Sequence, residues 1–227
     1  MVVFQPISTR KIKMKKALLI FTVSAGVLLA SCGNPSSNET VDAADAGETA
    51  EATAESVTYN VNLDESSVNW QGAKVIDGSH TGTIAITAAS ISTKDGAIEA
   101  GNFTLDMNSI AETNNDDEEG VAKLIGHLKS GDFFLVDSFP SASFEITEGG
   151  TDHVKGNLTI KGITKEIEIP VTMNDTESGT TMSSTFTINR NDWGVTWGNN
   201  STNKIDFLKD NFIKDEIEFD VKLVASK

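Results

Sequence analysis

The sequence predicts an all-β domain: an antiparallel eight-stranded barrel with one short helix, preceded by a signal peptide and a disordered linker. Three observations carry that expectation. From Tyr59 onward apolar residues recur at every second position, Gly, Asn and Asp separate these runs at short intervals, and the rhythm breaks once for a segment with helical spacing. Regular short strands with turn signals suit an antiparallel sandwich or a closed barrel. A barrel of about eight strands has room inside for side chains or one small ligand.

At the N-terminus, Lys15 and Lys16 precede an apolar run from Ala17 to Leu29. The run is too short to span a bilayer comfortably and has the charged and apolar regions of a secretory signal. It ends in Leu29-Ala30-Ser31-Cys32, which resembles the lipobox of bacterial lipoproteins, so residues 1–32 are expected to be a lipoprotein signal whose Cys32 carries the lipid. Met1 and Met14 both remain open as starts. Cys32 is the only cysteine in the chain, which excludes an intrachain disulfide and a thiolate metal cluster. Several acyl chains on one cysteine would anchor the protein stably to the cell envelope, in the periplasm or at the outer membrane, without crossing a bilayer.

Residues 33–56 contain six acids, no aromatic residue and no lysine or arginine. Such a segment cannot bury enough surface to fold alone and is expected to be a disordered acidic tether, spanning roughly 27 Å as a flexible coil. The whole chain carries 18 basic and 33 acidic residues, a net charge of −15. Loss of residues 1–32 would remove five bases and no acid, leaving −20. Nucleic acid and anionic headgroups, which demand a basic surface, are therefore not expected partners.

The folded domain is expected over residues 57–227, and its strands follow in order. Tyr59, Val61 and Leu63 alternate, then Val68, Trp70 and Gly72, then Gly82, Ile84, Ile86 and Ala88. Phe103, Leu105 and Met107 continue the series, followed by Ala142, Phe144 and Ile146 and by Val154, Gly156, Leu158 and Ile160. Ile167, Ile169, Val171 and Met173 come next, then Phe186 and Ile188, and Ile217, Phe219, Val221 and Leu223 end it. The opposite faces are polar, so each strand meets water on one side. In "DDEEGVAKLIGHLKSGDFF", Val121, Leu124, Ile125 and Leu128 form a helical stripe, with acids at its start and Lys123 and Lys129 towards its end. One short helix is expected there, packed across a barrel mouth.

The chain shows no nucleotide-binding or nucleophile-elbow fingerprint, and His80, His127 and His153 are scattered over separate elements. No metal, cofactor or catalytic residue is expected. An esterase built on His80 or His127 would need a serine or carboxylate arrangement that the sequence does not supply. More informative are the polar residues on the apolar parity. His80, Lys74 and Arg190 share a face with their strands' apolar residues, as donors at one end of an apolar tube would. A rim or snorkelling position is the alternative for each. Consecutive Phe133 and Phe134 cannot face the same way in an extended chain. Trp193 and Trp197 read as a plug, with a stacking surface for sugars as the other use.

Five stretches resemble, in this order, the YceI-like family of bacterial exported proteins, also described as polyisoprenoid-binding. They are "GSHTG" (78–82), "GNFTLDMNSI" (101–110), "HLKSGDFFLVDSFPSASFEI" (127–146), "GNLTIKGITKEIEIPV" (156–171) and "INRNDWGV" (188–195). The resemblance spans roughly residues 59–225. It implies a lipocalin-like barrel whose apolar cavity takes an isoprenoid, a quinone-like lipid or a similar amphiphile, and no enzymatic activity. The added lipobox and acidic tether depart from the many relatives that are soluble in the periplasm.

The expected function is therefore non-enzymatic binding and carriage or storage of a long-chain amphiphilic lipid. Strand parity assigns the wall to Ile84, Ile86, Phe103, Leu105, Phe144, Ile146, Leu158, Ile160, Ile169, Phe186, Ile188, Phe219 and Val221, with His80 and Arg190 at the head group. The rival reading is a surface glycan-binding or adhesion module using exposed Trp193 and Trp197. A homodimer is compatible with the sequence, although no seam is visible in its residues.

Overall fold

The computed structural model describes residues 39–75, 78–176, 179–198 and 213–226. The signal segment and Cys32 lie outside the described residues. A single antiparallel sheet dominates. Its strands are β1 (Ala44–Asp45), β2 (Val57–Val61), β3 (Ser67–Lys74), β4 (Ser79–Lys94), β5 (Ala97–Glu112), β6 (Ser141–Glu148), β7 (His153–Ile160), β8 (Ile163–Pro170), β9 (Thr172–Asp175), β10 (Gly179–Asn189) and β11 (Ile213–Ser226).

The order across the sheet is β1-β8-β7-β6-β5-β4-β2-β11-β10-β9, with β3 also between β4 and β11. Because β2 and β3 occupy successive lengths of one position, and β8 runs on into β9, the eleven segments form eight long lanes flanked by the short β1. The eight-stranded expectation is met in that sense. β9 leaves β7 behind and pairs with β10, Met173 opposite Met182, which curls the sheet back toward its other end. The apolar positions of the alternating runs face this concave side, where most of the buried core lies.

Two local features depart from simple alternation. Between Ile86 and Ala88 the β4–β5 register shifts, Ala88 is exposed, and Ile91 becomes the next deeply buried isoleucine. A bulge adds one residue and so reverses the parity of everything after it. Phe133 and Phe134 lie in a turn rather than an extended run, so both reach the interior.

The helix, α1, spans Glu118–Lys129. Asp117 caps it by accepting a hydrogen bond from the Glu119 amide, and acids in the first turn with Lys129 in the last complement the helix dipole. Leu128 is buried, and Leu124 packs against the core from the same stripe.

The expected tether needs correction over residues 39–56, which lie along the barrel wall. The Val41 amide donates to the Thr187 carbonyl of β10 at 2.8 Å, while Ala44 and Asp45 pair with Glu166 and Lys165 of β8. The segment thus bonds to both margins of the gap between β8 and β10, and Val41 and Ala43 pack on the core. It then crosses the outer face. Gly47 exchanges two hydrogen bonds with the Asn157 side chain, at 2.9 and 2.8 Å, and the Ala50 amide donates to the Ile146 carbonyl at 2.8 Å. Farther on, the Thr53 amide and Ser56 hydroxyl donate to Glu99. Composition barred independent folding, but an added edge strand needs chiefly backbone groups, which every residue has.

Candidate functional site: an apolar cavity with a polar mouth

The concave face encloses a cavity of about 450 Å³. That volume lies within the range typical of small-molecule sites, roughly 300–1,000 Å³. Its wall is built in rungs set by strand register. Val68 lies opposite Ile84 and Val221, and Val221 opposite Ser184; one rung nearer the mouth, Trp70 lies opposite Gly82 and Phe219, and Phe219 opposite Phe186. Phe186 and Phe219 stack with ring centroids 5.5 Å apart. Across the barrel, Phe103 pairs with Phe144 and Phe144 with Leu158, while Leu105 and Ile86 meet on β5 and β4. Ile91, Ile98, Val154, Met182 and Leu223 also border the cavity, towards the end opposite α1.

Two glycines let large rings lie flat on this wall. A Cβ at Gly156 would stand 2.3 Å from the Phe144 ring, and one at Gly82 would stand 2.6 Å from the Trp70 indole. Neither position tolerates a side chain while its neighbouring ring stays in place.

The residues expected from strand parity can now be located. Ile84, Ile86, Phe103, Leu105, Phe144, Ile146, Leu158, Ile160, Ile169, Phe186, Phe219 and Val221 border the cavity, as do His80 and Arg190. Ile188 does not. It is 1% exposed and sits in the packed end of the core, where Arg190, Trp193 and Val195 are equally buried. Parity selects a face, but it does not say which side chains on that face are covered by their neighbours: Ile217, opposite Ile188, borders the cavity.

Arg190 has a different occupation from the expected one. Its guanidinium is fully buried and donates to the carbonyls of Lys214 at 3.0 Å, Val195 at 2.5 Å and Ile213 at 3.3 Å. It also meets Asp215 Oδ1 at 3.3 Å. Burial pulls this guanidinium below its ordinary pKa, opposed by the nearby charges of Asp215 and Glu216. With four of its N–H directions engaged, Arg190 ties β11 to the turn after β10 and has little left to offer a head group.

The mouth has its own polar set: Lys74, His80, Lys123, His127 and Glu216 border the cavity there. Lys123 is engaged by Glu119 at 2.7 Å along the helix. His127 lies edge-on to Trp197, with centroids 4.4 Å apart, and edge-on to Phe133 at 5.0 Å. Trp197 is 37% exposed and forms an aromatic rim, whereas Trp193 is fully buried and donates from Nε1 to the Leu158 carbonyl at 2.9 Å. Trp193 therefore plugs this end of the core, and the glycan reading loses one of its two exposed rings.

His80 is the most elaborately held of the mouth residues. The Asn114 side chain clamps the strand on either side of it, accepting from the Thr81 amide at 2.9 Å and donating to the Ser79 carbonyl at 3.0 Å. Its Nδ1 lies 2.5 Å from Oε1 of Glu112, a carboxyl group whose side chain has no exposed surface. Glu112 was not singled out in the sequence, although it continues the inward parity of Ile110. Among the described residues there is no group of three or more His, Cys, Asp or Glu placed to hold a metal ion.

The YceI-like domain model matches residues 59–225. Over 76 residues the chain is 42% identical to UPF0312 proteins of Staphylococcus aureus strains N315 and Mu50, an alignment covering 30% of this chain. The chain spans 44% of the length of these curated relatives. Among solved structures, Burkholderia cenocepacia BcnA superposes with a TM-score of 0.58 at 20% identity, covering 74% of this chain and 100% of that one. A polyisoprenoid-binding domain from Saccharophagus degradans, described as implicated in plant cell wall breakdown, gives 0.51 at 16% identity, with coverage of 74% and 97%. These two likenesses establish a shared fold.

Proposed function

The chain belongs to the YceI-like family, and from that premise we propose that it binds one isoprenoid or other long-chain amphiphilic lipid in its cavity and carries or stores it without catalysis. The observation that supports this most strongly is the largely apolar wall around about 450 Å³ of space, interrupted by Ser143, Ser183 and Ser184, with the charged and histidine side chains gathered at the mouth. A solved relative described as polyisoprenoid-binding has the same fold. Burial of a chain of ten methylene-sized groups contributes about 8 kcal/mol before association costs, at about 0.8 kcal/mol each. Apolar lining alone therefore gives useful affinity.

The lipobox-like Cys32 extends the reading to the envelope: residues preceding the barrel hold it to a membrane through a lipidated cysteine. Gentle purification of the exported protein, followed by native mass spectrometry and solvent extraction, tests both parts. The expected result is one lipid-sized mass per chain plus an acylated N-terminus at Cys32, with the subunit count read from the same spectrum. An unliganded polypeptide from the native envelope would sink the carrier reading.

A further inference from the structure

The lipid reading leaves the head group unspecified, and the mouth is specific enough to choose one. His80 faces Gly72 across the β3–β4 ladder, and among the described residues nothing lies within 4 Å of where a Cβ at Gly72 would stand. The imidazole therefore borders open space at the cavity mouth, and its side chain is 34% exposed. Oε1 of Glu112 lies 2.5 Å from Nδ1, and an ionised carboxylate, which can only accept, places the proton of this bond on Nδ1. That fixes the tautomer of the neutral ring, leaving the lone pair on Nε2.

The carboxyl group has acceptor capacity to spare. Among the described residues its second oxygen, Oε2, is buried without a partner, as is Nε1 of Trp70. Gly82 stands opposite both residues, Trp70 on β3 and Glu112 on β5. The indole's Cε2, the atom bonded to Nε1, lies 2.7 Å from where a Gly82 Cβ would be. A buried N–H and a buried carboxyl oxygen thus share one neighbour, and each lacks what the other supplies.

Resting on the lipid reading above, we infer that the mouth selects a hydroxyl-bearing lipid, whose O–H donates to His80 Nε2 in the open space beside Gly72. An ether or carbonyl head has no proton for that lone pair. A phosphate or carboxylate head would place negative charge in front of a ring backed by Glu112, with Glu216 at the same mouth. Lys74 and Lys123 also border the mouth, and Lys123 is already paired with Glu119.

The test uses the full chain, freed of copurified lipid, at pH 8, with three probes of equal chain length: farnesol, farnesyl methyl ether and farnesyl phosphate. Each displaces a fluorescent prenyl reporter. Farnesol is expected to bind about tenfold more tightly than the ether, the size of one retained hydrogen bond, and more tightly than the phosphate. In Glu112→Gln the amide can donate to Nδ1, which moves the ring proton to Nε2 and turns the preference toward the ether. His80→Phe, which keeps a ring of similar shape, should lose the alcohol–ether difference while still binding the ether, and it serves if the first variant does not fold. Equal affinity for alcohol and ether, or tightest binding of the phosphate, overturns the head-group inference and leaves the lipid reading standing. Failure of all three probes overturns both.

Discussion

Gly82 lies opposite Trp70 in the β3–β4 ladder, and the indole occupies the space that a side chain at residue 82 would need. A Cβ there would stand 2.6 Å from the ring and 1.7 Å from the Ala111 carbonyl oxygen, which is backbone and cannot swing aside. Gly82→Ala should therefore destabilise the barrel by about 1–3 kcal/mol, the usual cost of overpacking. Urea denaturation followed by tryptophan fluorescence measures it, and an unchanged midpoint would show that the wall can yield.

Arg190 makes the converse point, because its value lies in bonds to the protein. Arg190→Lys keeps the charge but cannot reproduce the fork that reaches three carbonyls and Asp215. Loss of partners for a buried charge site predicts a stability loss of about 3–5 kcal/mol. Affinity of the remaining folded protein for a prenyl amphiphile should change less than twofold. A selective loss of binding at unchanged stability would return Arg190 to the head group.

The segment crossing the outer face is predicted to come loose when its side-chain clamp is removed. Asn157 is 7% exposed although it points outward, because Gly47 covers it with two hydrogen bonds. Asn157→Ala should cost about 1–3 kcal/mol locally and open residues 46–50 to limited proteolysis while the barrel stays intact. Equal cleavage rates in the two proteins would deny the clamp.

Acid should act on the same segment through Glu99. Its carboxylate accepts hydrogen bonds from Ser56 and Thr53, which lowers its pKa below the ordinary glutamate value. The charged form is the one favoured by folding, so the contribution is complete above that ordinary value and fades as pH falls through the lower, folded one. The Thr53 amide resonance should titrate with a midpoint below that of an unperturbed glutamate, and Glu99→Gln should abolish the titration. A midpoint at or above the ordinary value contradicts the assignment.

Much of this architecture is legible in the residues because a half-buried strand declares its face every second position. Ile84, Phe103, Phe144, Leu158 and Phe219 reach the cavity for that reason. Legibility ends where the answer depends on a partner far along the chain. The inward parity of Arg190 is visible, but not the carbonyls of Ile213 and Lys214 that satisfy it, since those come from β11. His80 is visible and Glu112, its partner 32 residues away, is not. Residues 39–56 look unable to fold because their contribution is made by backbone bonding to β8 and β10, which composition does not encode. Ile188 fails for a subtler reason: the face is right, yet the side chain is packed within the core and does not border the void, although its cross-strand partner Ile217 does.

The most direct test of the central claim is to fill the cavity from within. Val221 borders it between Val68 and Ser184 on the wall. A fluorescent prenyl amphiphile titrated into the lipid-free wild type should saturate at one per chain. Val221→Trp, folded to the same extent by circular dichroism, should bind at least tenfold more weakly. Equal binding by the two proteins would place the lipid elsewhere, and a wild type that binds none would mean that the space is not a lipid site at all.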